Sequence, residues 1–228
     1  MSPGALALLV AIPILFLHEQ YQPGVALALG GTDVDVSLAD AAIAVVVAAA
    51  AITARRTGLA PLARGRWLYA AIGALCLLAI ASVSLPVLRD EPYEWKTRLV
   101  AAIGFAEYAL LAPCVPLLAR TRRETTALLV ALTLTCVAAT LWAVLQFAGL
   151  VDEFNGRRPS QREPSFIGFH DFAALGGLVL VVALVVLLTR EQVVSRGAAV
   201  AAGIAGSLGM VLAGAPTGVL GLWLAAVA

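Results

Sequence analysis

Phe172-Ala173-Ala174-Leu175-Gly176-Gly177-Leu178-Val179-Leu180-Val181-Val182-Ala183-Leu184-Val185-Val186-Leu187-Leu188 is an unbroken run of seventeen residues without a charge. Coiled as an α-helix it is about 25 Å long, close to the ~30 Å of hydrocarbon that a bilayer presents. Similar runs recur near Pro3–Leu17, Leu38–Ala54, Trp67–Leu88, Leu99–Leu118, Thr125–Leu150, Ala198–Ala213 and Val219–Ala228. The pattern predicts an all-α, polytopic transmembrane helical bundle of seven to eight spans. Alanine, valine and glycine dominate the runs, as close packing between helices in lipid requires.

The composition agrees. Of 228 residues, 61% are hydrophobic and 13% charged, with a mean hydropathy of +0.96; a water-soluble domain carries roughly 25% charge. A net charge of +1, spread over several loops, offers no patch for nucleic acid. Cys76, Cys114 and Cys136 all fall inside apolar runs, without the spacing of a disulfide framework or a zinc site. They read as small buried apolar residues. Two histidines without ligand spacing suggest no metal, and nothing in the sequence calls for a cofactor. Ala26-Leu27-Ala28 has the look of a signal-peptide cleavage site, but no basic residue precedes the first apolar run and a polar stretch separates the two. An uncleaved first helix is expected.

Loop charges set the expected orientation. Arg55, Arg56, Arg64, Arg66, Arg120, Arg122, Arg123, Arg190 and Arg196 lie in alternate loops, with only Glu124 and Glu191 to oppose them. The positive-inside rule places these loops, and the N-terminus, in the cytoplasm. The intervening loops hold eleven acids and six bases and are expected outside. Tyr21, Tyr93, Trp95 and Trp142 fall near the expected outer boundary, and Trp67 near the inner one, as an interfacial aromatic belt would.

One outer loop departs from the rule. Residues 151–171 bring Arg157, Arg158 and Arg162 within six positions, on backbone stiffened by Pro159 and Pro164. Guanidinium groups grip phosphate oxygens in a planar, bidentate manner and hold their charge near lipid. Asp171 or Ser165 is expected to cap the following helix, leaving His170 near its N-terminus and placed to accept a proton. Two readings stand on the charge pattern: a specific anionic ligand, or lipid phosphates and the neighbouring Asp152, Glu153 and Glu163.

The segment from Gly156-Arg157-Arg158 to Arg162-Glu163-Pro164-Ser165-Phe166-Ile167-Gly168-Phe169-His170-Asp171-Phe172-Ala173-Ala174 resembles the outer-face region of O-antigen ligase and O-antigen polymerase-like membrane glycosyltransferases. In that family an arginine precedes a Gly/Phe turn, a Pro- or His-containing pair ending in Asn or Asp, and a small-residue helix. The specific part covers about twenty positions here. Two departures stand out: Asp171 occupies a place where Asn is common, and Pro216-Thr217-Gly218 stands where the family often has Ser-Arg-Gly.

The resemblance implies a multi-pass protein of the cytoplasmic (inner) membrane, surrounded by membrane lipids. It would transfer a glycan from a polyprenyl-pyrophosphate carrier to a sugar or lipid-linked acceptor on the outer face, in cell-surface polysaccharide assembly. Arg157, Arg158 and Arg162 would bind the pyrophosphate, with His170 and Glu107 as catalytic candidates, and neither metal nor nucleic acid would be needed. In the family much of the machinery lies on a later, larger outer loop. The apolar stretch Trp223–Ala228 at the end of this sequence leads to the expectation that residues 1–228 form one transmembrane domain, the N-terminal part of a longer protein.

Glu107 stands out by itself because it is the one carboxylate well inside an apolar run. Such residues are costly in lipid and face a bundle interior or a cavity. Proton coupling or acceptor binding is one reading, and a carboxyl hydrogen-bonded to Gln146 or Thr140 is the other. His18 reads as an interfacial residue rather than a ligand. The alternative function is a transporter or flippase component for an anionic lipid or solute, which also pairs intramembrane Glu with outward Arg, although no internal repeat supports it.

Overall fold

The computed structural model describes residues 1–29, 32–88, 95–151, 162–189 and 194–227. Helix dominates, in the order α1 (Pro3–Leu15), α2 (Leu38–Thr57), α3 (Arg66–Leu88), α4 (Trp95–Ala109), α5 (Leu111–Leu118), α6 (Arg122–Phe147), α7 (Phe169–Leu188), α8 (Arg196–Leu212) and α9 (Pro216–Val227). An antiparallel pair, β1 (Gly24–Leu29) and β2 (Thr32–Ser37), lies between α1 and α2 in the sequence. Among the described residues, five stretches are long and apolar enough to cross a membrane: Leu38–Thr57, Ala60–Val83, Arg98–Leu118, Arg122–Phe147 and Phe169–Leu188. Helices α1, α8 and α9 are apolar but shorter. By length and composition these are the helices of a membrane protein, and among the described residues five of the expected spans meet the length that crossing demands.

The chain divides into two compact units, one of Met1–Ala11 with Gly24–Thr121 and one of Ile12–Pro23 with Arg122–Ala228. In the first unit α3 packs on α4 and α2 packs on α5. Ser37 starts α2 with a capping box: its Oγ accepts from the Asp40 N–H at 3.3 Å, and Asp40 Oδ2 accepts from the Ser37 N–H at 2.7 Å. The expected fourth span is divided into α4 and α5 at Leu110. Pro113 has no N–H to return to Ala109, so the helical ladder is interrupted there.

The hairpin is a departure from an otherwise helical expectation. Val25 pairs with Val36, and Ala26 with Asp35. Thr32-Asp33-Val34-Asp35-Val36 alternates polar and apolar residues, the period-two signal of a strand, and Gly30-Gly31 separates the two runs in sequence. Ala26–Ala28, which resembled a cleavage site, belongs to β1.

In the second unit α7 packs against α6, α8 and α9. Leu175, Val179, Leu180 and Ala183 of α7 are buried, and Phe172 anchors a cluster with Cys136, Ala139 and Ala143 of α6. Small residues permit this. A Cβ on Gly206 of α8 would meet Gly176 O at 2.6 Å, and a Cβ on Gly176 would meet Gly206 O at 2.8 Å. The two backbones therefore touch, and dispersion between them replaces the hydrophobic drive that lipid does not supply.

Candidate functional site

The turn 162–168, which leads into α7, is held from several directions. Glu163, Pro164 and Ser165 are buried. The Glu163 N–H donates to Leu212 O at the end of α8 (2.9 Å), and the His18 N–H donates to Phe166 O (3.0 Å). Ser165 adopts a left-handed backbone, φ 57°, which costs a residue with a Cβ on the order of 1 kcal/mol or more. Its surroundings hold it there. Gln146 Oε1 accepts from the Ser165 N–H at 2.8 Å, Gln146 Nε2 donates to Ser165 O at 3.4 Å, and Ser165 Oγ donates to Ala139 O at 2.7 Å.

This arrangement corrects the expected helix cap. Gly168, with φ 104°, precedes α7, and no side chain caps it. Ser165 spends its hydroxyl on α6 instead, and Asp171 sits exposed in the first turn of α7. A Cβ on Gly168 would lie 3.0 Å from His18 Cδ2, so the imidazole of His18 covers the turn. His18 Nδ1 accepts from the Gln20 N–H at 3.3 Å. His18 is thus part of the architecture of this turn. Trp142 meets Phe166 edge-to-face, ring centres 6.4 Å apart, so it supports the same turn.

Arg162 is exposed and lies across the connection between α8 and α9. A Cβ on Gly214 would sit 2.6 Å from Arg162 Nε and 2.8 Å from its Cδ and Cγ, so the side chain runs over that glycine. Helix α9 begins two residues later, at Pro216. His170 is exposed in the first turn of α7. One end of the second unit thus carries the Arg162 guanidinium, the His170 imidazole and the N-terminal ends of two helices, whose dipoles favour negative charge. Arg157 and Arg158 lie outside the described residues.

Glu107 belongs to the first unit, on α4. The partners considered for it are engaged in the second unit: Gln146 with Ser165, and the Thr140 hydroxyl with Ala205 O at 3.2 Å. Glu107 instead lines a cavity of about 580 Å³ between α3 and the α4–α5 segment. Cys114 and Cys136 are buried free thiols, and Cys76 lines the same cavity. Among the described residues no group of His, Cys, Asp and Glu is placed to hold a metal ion.

Comparison with protein-family models, curated proteins and solved structures gives no match.

Arg162 and His170, candidates by residue type, are both exposed at this end of the unit. Sequence reasoning missed the Gln146–Ser165 clasp, because the two residues are nineteen positions apart and a buried amide has no local signature. It also missed that Gly214 underlies Arg162, for which the only sequence signal is a glycine closely followed by proline.

Proposed function

We propose that the protein transfers a glycan from a polyprenyl-pyrophosphate carrier to a sugar or lipid-linked acceptor at the outer face of the cytoplasmic membrane, as in O-antigen ligation or polymerisation. The observation that carries this reading is the station of Arg162: exposed, laid over Gly214 at the start of α9, and rooted in a turn that hydrogen bonds fix to α6, α8 and the segment after α1. In the reaction the acceptor hydroxyl oxygen attacks the anomeric carbon and the bond from that carbon to the pyrophosphate oxygen breaks. The electron pair leaves with polyprenyl pyrophosphate, and the hydroxyl proton passes to His170. Arg162, with Arg157 and Arg158, stabilises the charge that develops on the leaving group, an electrostatic task that needs no nucleotide sugar.

Two experiments test it. Membrane-side placement is checked with an impermeant thiol reagent in a background lacking the three native cysteines: Ser160→Cys labels from outside and Thr57→Cys does not. Glycan transfer is then measured in Arg157/Arg158/Arg162→Ala and in His170→Ala. The triple variant inserts but loses transfer, and His170→Ala falls by about 100-fold or more, the scale of a lost general base. Full transfer in an inserted triple variant excludes the reading.

A further inference from the structure

The cavity beside Glu107 lies within two membrane-crossing stretches, Ala60–Val83 and Arg98–Leu118. Its volume of about 580 Å³ falls in the range of small-molecule pockets, roughly 300–1,000 Å³. Its wall is almost wholly apolar, with Gly73, Ala106 and Leu110 among its residues. Among the described residues Glu107 contributes its one charge, and no arginine or lysine lines it. Tyr69 of α3, whose ring lies over Gly65, is also among the lining residues, while Glu107 comes from α4.

A lone carboxylate in an apolar wall at membrane depth is expensive unless something of opposite charge meets it. An aromatic residue in the lining can add attraction for a cation, through the negative face of its π-system. We propose that this cleft binds a membrane-dissolved lipophilic cation, an apolar body bearing one positive charge, with Glu107 as counter-ion and Tyr69 as aromatic wall. Such a ligand matches both properties of the site. Its body replaces hydrocarbon against the apolar walls, and its charge replaces the solvation that lipid cannot give Glu107. A neutral lipid chain fills the walls but leaves the carboxylate unmet. This site is separate from the arginine turn, so its failure leaves the glycan-transfer reading untouched.

The test uses the whole protein in lipid nanodiscs, with tetraphenylphosphonium as probe and neutral tetraphenylmethane as its uncharged counterpart. Equilibrium binding of tetraphenylphosphonium is expected to be saturable and at least tenfold tighter than that of tetraphenylmethane. Glu107→Gln weakens the cation at least tenfold and leaves the neutral compound unchanged. Gly73→Phe, at a position with open space around it, plugs the cleft and abolishes binding of both compounds, which keeps the test decisive if Glu107→Gln fails to fold. Absence of saturable binding, equal affinity for the two compounds, undiminished cation binding in Glu107→Gln, or undiminished binding in Gly73→Phe overturns the proposal.

Discussion

Helices α7 and α3 are both apolar enough to cross a membrane, yet 44% of the crossing stretch of α7 is buried in protein against 6% for α3. The difference does not lie in greasiness, because lipid rewards an apolar side chain as well as a protein interior does. It lies in glycines that meet a partner. Gly176 of α7 and Gly206 of α8 let two backbones touch, whereas among the described residues nothing beyond the backbone of its own helix lies within 4 Å of where a Cβ on Gly73 of α3 would be. Consequently α3 presents Trp67, Leu77 and Leu78 outward and leaves a cleft beside α4. The packed helix carries a fixed polar turn at its start, and the open one borders a cavity with a single carboxylate.

The largest test of this contrast is a matched pair. Gly206→Leu drives a side chain into Gly176 O and the Leu180 backbone, with an expected cost of about 3 kcal/mol from overpacking. Gly73→Leu has room and costs less than about 0.5 kcal/mol. Thermal unfolding in detergent, followed by size-exclusion chromatography, compares the two. Equal stability of the variants breaks the argument that glycine contacts decide which helices are buried.

That pair also shows what was legible. The apolar helices could be read because a long hydrophobic run has few alternatives in lipid, although among the described residues only five reach crossing length. Which face of which run meets protein could not, since Gly73 and Gly206 look alike until their neighbours are known. The β1–β2 pair was written in the alternation of Thr32 to Val36, but its short strands sit between much stronger helical signals. The break at Leu110 was likewise visible in Pro113, within a run whose apolar character stays continuous across it. At the candidate site the arginines could be named from residue type alone, while the Ser165 conformation depends on a distant glutamine.

A smaller effect sharpens the comparison at the turn itself. Gln146→Ala leaves the buried Ser165 N–H without its acceptor, a loss of about 1–3 kcal/mol. Its control on α3 is Ser82→Ala, where an exposed hydroxyl merely donates to Ala79 O at 2.7 Å, and the change is expected within about 0.5 kcal/mol of zero. Chemical denaturation of the two variants reads the difference. A Gln146→Ala protein as stable as Ser82→Ala means that the turn is not held by this clasp.

Smaller still is Gly168→Ala. The backbone at φ 104° and a Cβ contact of 3.0 Å to His18 both oppose it, for a cost of about 1 kcal/mol. Because His18 covers Gly168, the double variant with His18→Ala relieves the contact but not the backbone strain. Recovering only part of the lost stability is the expected outcome. Full recovery assigns the whole effect to the contact.

The most direct measurement of the functional account is equilibrium binding of a polyprenyl pyrophosphate to the purified protein and to Arg162→Ala and Arg162→Lys. A charged hydrogen bond is worth about 1.5–3 kcal/mol, so Arg162→Ala is expected to weaken binding by roughly 10-fold to 100-fold. Arg162→Lys restores part of it, since charge remains but the bidentate fork is lost. Unchanged affinity in an Arg162→Ala protein of unaltered thermal stability contradicts the assignment of this turn to the pyrophosphate.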